Sequence, residues 1–275
     1  MTTSVPVLPL RSGALIPQIG LGTWPLDNAE AADAVEAAIG LGYRHFDTAE
    51  NYRNETGVGE GLRRSGLDRA EAFITTKFNK EWHSFDGVRR AVEAALQRLG
   101  TDYVDLLLIH WPNPAQDTYV DAFRGMRAAQ KDGLVKAVGV SNFKPAHLQK
   151  LADAGLVPDV NQIQLDPYRP RRDIREANAR LGTVTEAWSP LGKGSRLLED
   201  SLLGTLAAKY GKTPAQVVLR WDIQSGIVTI PKSANPERMA ENLDIFDFEL
   251  DSSEMSALDQ LETDAAVTDS DVFGH

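Results

Sequence analysis

The chain has 275 residues, 39 acidic and 29 basic side chains, no cysteine and a net charge of −10. With 42% hydrophobic and 25% charged residues it is long and apolar enough for a substantial core, which excludes disorder, a collagen-like fibre and a disulfide scaffold. The missing cysteines also exclude a thiol nucleophile, a cysteine-ligated zinc and an iron–sulfur cluster. Eleven of the acidic residues and none of the basic ones fall in residues 241–275, so the first 240 residues, with 29 basic and 28 acidic side chains, are near neutral. Nothing there is a nucleic-acid footprint. Met1–Gly13 carries no charged segment followed by an apolar one, and no run approaches the roughly 18 apolar residues of a membrane span. A cytoplasmic protein without a leader, a monomer by default, is the expectation.

In chain order, Val5–Leu10 and Leu15–Ile19 flank Arg11-Ser12-Gly13-Ala14 and read as a β-hairpin within residues 1–20. Gly20-Leu21-Gly22 lacks the third glycine of a dinucleotide fingerprint and is discounted as one. Asp27 and Glu30 form a capping box for a helix that stops at Gly40 and Gly42. Short apolar runs of strand type then alternate with helical patterns: 43–48, 72–77, 104–110, 137–142, 160–165, 184–188, 227–231 and 245–250. Most lack in/out alternation, as strands covered on both faces do. Pro145, Pro214 and Pro236 open helices, Thr213 and Asn235 serve as N-caps, and Gly100, Gly133, Gly155, Gly182 and Gly226 close helices. Eight repeats without a linker predict one α/β domain over residues 1–275. It is a (β/α)8 TIM barrel with the hairpin at its N-terminal end and a short acidic tail at 262–275.

Chemistry in such a barrel gathers at the C-terminal ends of the strands. There the first predicted strand ends at Asp47, with Tyr52 five residues on, the second at Lys77 and the third at His110. Each alone reads as a strand meeting water, Tyr52 as a surface aromatic and His110 as a core histidine. Together they form a working set. Asp47 supplies the counter-charge of a buried Lys77, the cation lowers the pKa of a nearby tyrosine, and Tyr52 becomes a general acid, with His110 orienting a carbonyl. Further on, Lys232, Ser233, the helix start at Asn235 and Arg238 make an anion site.

From GLGTW to NLDIFDFEL the chain resembles the aldo-keto reductases, through GYRHFDTAENYRNE, FITTK, DLLLIHWP, VGVSNF, VNQIQ, WSPLGKG, LRW and IPKSANPERMAEN in that order. It is most similar to short bacterial members of the 2,5-diketogluconate reductase type. The resemblance implies NADPH-dependent reduction of aldehydes or ketones, with no metal, by a tetrad of Asp47, Tyr52, Lys77 and His110. It assigns Ser141, Asn142 and Gln162 to the nicotinamide carboxamide and Trp188 to the face of the ring. Ser189, Leu191, Gly192 and Gly194 belong to the pyrophosphate loop, Lys232, Ser233 and Arg238 to the 2′-phosphate, and Glu241 and Asn242 to the adenine. Trp24, Phe78, Trp82 and Trp111 are expected to wall the substrate site, with a short acidic tail that either leaves the pocket open or is partly disordered.

Asp166 departs from the pattern, standing where relatives place a histidine, and Arg169, Arg171, Arg172 and Arg175 crowd the same rim. The cluster is read either as a solvated face or as an attractor of anionic carbonyl substrates. Two other functions fit the fold: a Schiff-base aldolase built on Lys77, or a non-catalytic NADPH-binding protein. The first leaves Tyr52, Trp188 and the anion site without roles, and the second has no use for Tyr52 or His110.

Overall fold

In a computed structural model the described residues are 5–275; residues 1–4, which begin the stretch read for a leader and the 1–20 hairpin segment, lie outside them. Strands β1 (Val7–Pro9) and β2 (Leu15–Pro17) pair antiparallel, with Ile16 opposite Leu8. Eight parallel strands follow: β3 (Leu21–Gly22), β4 (His45–Asp47), β5 (Phe73–Phe78), β6 (Val104–Ile109), β7 (Val135–Ser141), β8 (Val160–Gln164), β9 (Val184–Trp188) and β10 (Val228–Ile230). Bridges from Ile19 to Thr229 and from Gly22 to Lys232 close β3 onto β10.

Helices α1 (Asn28–Leu41), α2 (Glu55–Ser65), α3 (Phe85–Leu99), α4 (Tyr119–Lys131), α5 (Pro145–Asp153) and α6 (Arg172–Leu181) surround the barrel. They continue with α7 (Ser201–Tyr210), α8 (Pro214–Gln224), α9 (Pro236–Leu243) and α10 (Ser252–Asp259). The capping box at Asp27 and Glu30 is formed, Gly42 ends α1 at φ 108°, and α5, α8 and α9 each begin on their proline. No helix among the described residues is long and apolar enough to cross a membrane.

The hairpin covers the N-terminal end of the barrel. Leu10 and Ile16 are buried against Phe73, Leu106, Leu108, Val160 and Val228, the inward side chains at that end. The Asp159 carboxylate ties the turn down by accepting from the Ser12 N–H at 2.8 Å.

One strand lies elsewhere than expected. The run 245–250 forms no strand, and the barrel is completed instead by the chain just before α1. Gly20 and Gly22 are there because β3 sits too close to its neighbours for side chains: a Cβ on Gly20 would meet the His45 ring at 2.7 Å, and one on Gly22 the Ile230 carbonyl at 2.9 Å. Residues 245–250 run outside the barrel, with Ile245 and Leu250 buried. Side chains of α8 replace a ladder: Gln224 accepts from Leu250 N–H at 2.8 Å and donates to its carbonyl at 2.9 Å, and Arg220 donates to the Ile245 carbonyl at 3.1 Å. Gln224→Ala should therefore cost about 1–3 kcal/mol by denaturant unfolding, since it strips both partners from the backbone of one buried residue. An unchanged midpoint would show that water replaces them.

Candidate active site

The C-terminal ends of β4, β5 and β6 bring Asp47, Lys77 and His110 to one rim. Tyr52 reaches them from a single 3-10 turn, Glu50–Tyr52, between β4 and α2. The Lys77 ammonium is fully buried and all three of its protons are placed. It donates to Asp47 Oδ1 at 2.7 Å, to the Thr48 carbonyl at 3.0 Å and to Tyr52 Oη at 3.3 Å. The other Asp47 oxygen accepts from Gln162 Nε2 at 2.8 Å. The His110 ring stands edge-on to the Tyr52 ring, centroids 5.8 Å apart.

Burial opposes the charge on Lys77, yet Asp47, together with Tyr52 and Glu186, outweighs it and holds the ammonium above its ordinary range. For Tyr52 the balance runs against the sequence expectation of a lowered value. Burial pushes the phenol up, the pull of Lys77 does not overcome it, and the hydroxyl keeps its proton at neutral pH. His110 is neutral: burial, then Lys77 and His275, hold it well below the ordinary imidazole range.

A cavity of about 440 Å³ opens above these groups. Trp24, Trp111, Trp188, Gln162, Asn142 and Lys232 line it, together with residues of the tail. Gln162 spends its Nε2 inward, which leaves its oxygen for the cleft. Ser141 and Asn142 are more engaged: Ser141 Oγ donates to the Gln162 carbonyl at 2.9 Å, and Asn142 donates to the His110 carbonyl at 3.1 Å while accepting from Trp188 Nε1 at 2.9 Å. Asn142 and Ser189 hold left-handed backbone, φ 64° and 52°, at the ends of β7 and β9. Such conformations in residues other than glycine persist where surroundings enforce them. Gly192 and Gly194 turn the following loop at φ 67° and 75°, with Leu191 half-buried beneath it, and Lys193 lies 3.5 Å over the Trp24 ring.

Lys232 and Arg238 are exposed, and neither has a carboxylate partner among the described residues. They flank the start of α9, whose N-cap Asn235 binds the Arg238 N–H. Ser233 Oγ accepts from the Asn235 N–H at 3.1 Å. Glu241 is exposed one helical turn on, whereas Asn242 is buried beside the Tyr43 hydroxyl.

Two expected wall residues are not brought to the cavity. Phe78 is buried in the core with its ring edge-on to His83, and Trp82 turns away to donate from Nε1 to Glu50 at 3.0 Å. The arginine cluster also faces elsewhere, because carboxylates and carbonyls behind the rim hold it. Arg169 pairs with Asp166 at 2.8 Å and donates to the Ala266 carbonyl, Arg172 pairs with Glu262, and Arg175 lies 3.7 Å from Asp259. Arg171 opens α6 and does not line the cavity either.

The tail closes over the site where an open pocket was one expectation. Phe273 packs on Trp111 at 4.7 Å between centroids, and His275 approaches the His110 ring at 5.7 Å. Lys144 grips Asp269 and Asp271, and His147 grips Asp271. Residues 262–275 carry no periodicity from which this course could be read. Glu186 is the other residue missed: buried and inside the barrel, it accepts from Gln162 at 3.2 Å. A lone acid in the apolar run VTEAW was its signal.

Residues 18–263 match the model of the aldo/keto reductase family. The chain belongs to that family. An aldo-keto reductase of Mycolicibacterium smegmatis is 47% identical over 94% of each chain. The methylglyoxal reductase DkgA of Escherichia coli O157:H7 is 45% identical over 98% of each. Among solved structures, a mutant of Gox0644 in complex with NADPH superposes with a TM-score of 0.92 at 44% identity, covering 98% of both chains. The family match begins at Gln18, just before β3, and ends within the tail, so it takes in the whole barrel.

Proposed function

We propose that this chain reduces small aldehydes or ketones with NADPH, Tyr52 giving the proton and Lys77, Asp47 and His110 arranging its delivery. One observation carries the reading: Lys77 binds Asp47 and Tyr52 Oη at once, on the floor of a cavity that His110 also faces. The residues present suit the cofactor. Trp188 offers a ring face, Gln162 an unspent amide oxygen, and Lys232 with Arg238 two cations at a helix start that have no carboxylate partner among the described residues, the donors a phosphate monoester takes. The NADPH complex of the Gox0644 mutant supports the same cofactor, and the methylglyoxal reductase relatives support a small carbonyl substrate. Bound NADPH would supply the hydride.

The chain's own groups do the rest. Asp47 keeps Lys77 charged in a dry setting. Lys77 points one proton at Tyr52 Oη, which favours the tyrosinate left after proton donation. Neutral His110 offers an N–H to the carbonyl oxygen without competing for the proton. Trp24, Trp111 and Phe273 give the cavity an apolar wall. An aldolase built on Lys77 would need a free amine, and here the ammonium is fully bonded.

The test is carbonyl-dependent NADPH oxidation by the wild type, and its loss of preference on Lys232→Ala with Arg238→Ala. Each charged contact is worth about 1.5–3 kcal/mol, so the double variant should raise the KM for NADPH by about 10² or more and leave that for NADH within a few-fold. Equal weakening of both cofactors would move the phosphate site elsewhere. A wild type inert toward NADPH with every small carbonyl tried would end the reading.

A further inference from the structure

Glu186 stands beside Gln162 in the parallel register of β8 and β9, so both side chains enter the barrel at one level. The Gln162 amide is a fork: Nε2 donates to Asp47 Oδ2 at 2.8 Å and to Glu186 Oε2 at 3.2 Å. With both amide protons held inward, the Gln162 oxygen can only face the cleft. The same fork pins the carboxylate that neutralises Lys77. Resting on the function proposed above, we infer that Glu186 is a positioning residue for the reduction: by taking one prong of Gln162 it fixes the Asp47 carboxylate beneath Lys77 and turns the Gln162 oxygen toward the cofactor.

The geometry also defines its protonation. Glu186 Oε1 has no hydrogen-bond partner among the described residues and lies 3.6 Å from His45 Nε2. His45 Nδ1 donates to the Pro17 carbonyl at 3.3 Å, so Nε2 is the bare nitrogen of a neutral ring, accepting from Thr75 Oγ1 at 3.0 Å. A carboxylate oxygen there would face a lone pair, whereas a carboxylic acid with its proton on Oε1 faces an acceptor. Burial first, and then the Asp47 charge, push the Glu186 carboxyl up to about 8, and burial holds His45 near 3. The groups that face it are His45 and Asp47 from β4, Tyr52 from the turn after it, and Lys77 from β5; its register partner on β10 is Val228. The cluster thus balances one cation against one anion until Glu186 ionises. Beyond that point a second negative charge sits near the oxygen that must accumulate charge in the reaction.

Two variants separate position from charge. Glu186→Leu removes the acceptor and should raise the Kd for NADPH, read by fluorescence, and lower kcat/KM, each by about tenfold, the factor carried by one hydrogen bond. Glu186→Gln keeps an acceptor for Gln162 and stays neutral, so it should restore most of that loss. In the wild type kcat/KM for reduction should fall as pH rises through about 8, and in Glu186→Gln that limb should vanish. A third readout needs neither substrate nor cofactor. A folded-state value raised from 4.5 to about 8 means stability present below pH 4.5 and lost as pH rises through 8, so the wild-type Tm should drop relative to Glu186→Gln across that window and run parallel outside it. Wild-type values of Kd and kcat/KM in Glu186→Leu, or the same alkaline limb in Glu186→Gln, would overturn the inference. Should Glu186→Leu not fold, the Glu186→Gln profiles decide. A wild type with no NADPH-dependent reduction would instead count against the assigned reaction, and the melting difference would still report on Glu186.

Discussion

Tyr52→Phe should lower carbonyl reduction by about 10² or more, some 2.7 kcal/mol of transition-state stabilisation, with NADPH binding changed by less than about twofold. The variant removes one oxygen and little else. The phenyl ring keeps its edge against His110 at 5.8 Å and its place 4.9 Å from the Lys77 ammonium, so cavity and charge pair survive. What goes is the protonated hydroxyl, which burial holds above its ordinary range and which is therefore loaded with a proton across the neutral region. Single-turnover rates with saturating NADPH isolate the chemical step, and a wild-type rate there would remove Tyr52 from the mechanism.

How far this could be read from residues alone divides along physical lines. Asp47, Lys77 and His110 were legible because each ends an apolar run, and parallel strands deliver such ends to one rim. Tyr52 followed from its distance along the chain. The direction in which burial moves its hydroxyl did not, since desolvation is a property of the surroundings and not of the residue. The alternation of elements gave up the barrel but not its first strand. β3 is two residues long and needs glycine for close approach, so it has no hydrophobic signature, while IFDFEL alternates well and packs outside the barrel. Arg169 and Arg172 looked free because their partners, Asp166, Glu262 and the Ala266 carbonyl, are set by tertiary structure. Glu186 was hidden for a related reason: a buried acid is intelligible only once Gln162 and His45 stand beside it.

Lys77→Met should damage both activity and fold. Methionine fills a similar length but leaves Asp47, the Thr48 carbonyl and Tyr52 Oη without the ammonium that serves all three. Removing one partner of a buried ion pair costs about 3–5 kcal/mol, because the remaining charge stays in a dry site. Gln162 alone would then face Asp47. Without Lys77, burial keeps the Asp47 folded-state value above its unfolded one, so the variant is least penalised below about pH 4 and loses stability as pH rises. Urea unfolding at pH 4 and pH 7 should show the gap to wild type widening with pH. Adding Asp47→Asn should recover much of the stability and none of the activity, with reduction still down by about 10² or more. A single variant as stable as wild type at pH 7 would mean that Asp47 finds water or a proton at little cost.

The bridge from Gly22 to Lys232 has a consequence for biosynthesis. Roughly 210 residues separate the two sides of that seam, the longest sequence interval between neighbouring strands of the barrel. β3 finds one neighbour, β4, nearby in the chain, whereas its other edge has no partner until β10 has been made. Loop closure over such a span is slow and rewarded late, and an unpaired parallel edge is a template for misassociation. The seam itself is held by backbone bonds on either side of Ile19: the Gln18 carbonyl accepts from the Thr229 N–H, and the Gly20 N–H donates to the Thr229 carbonyl. Closure between the first and last strands is thus the barrel contact expected to form last.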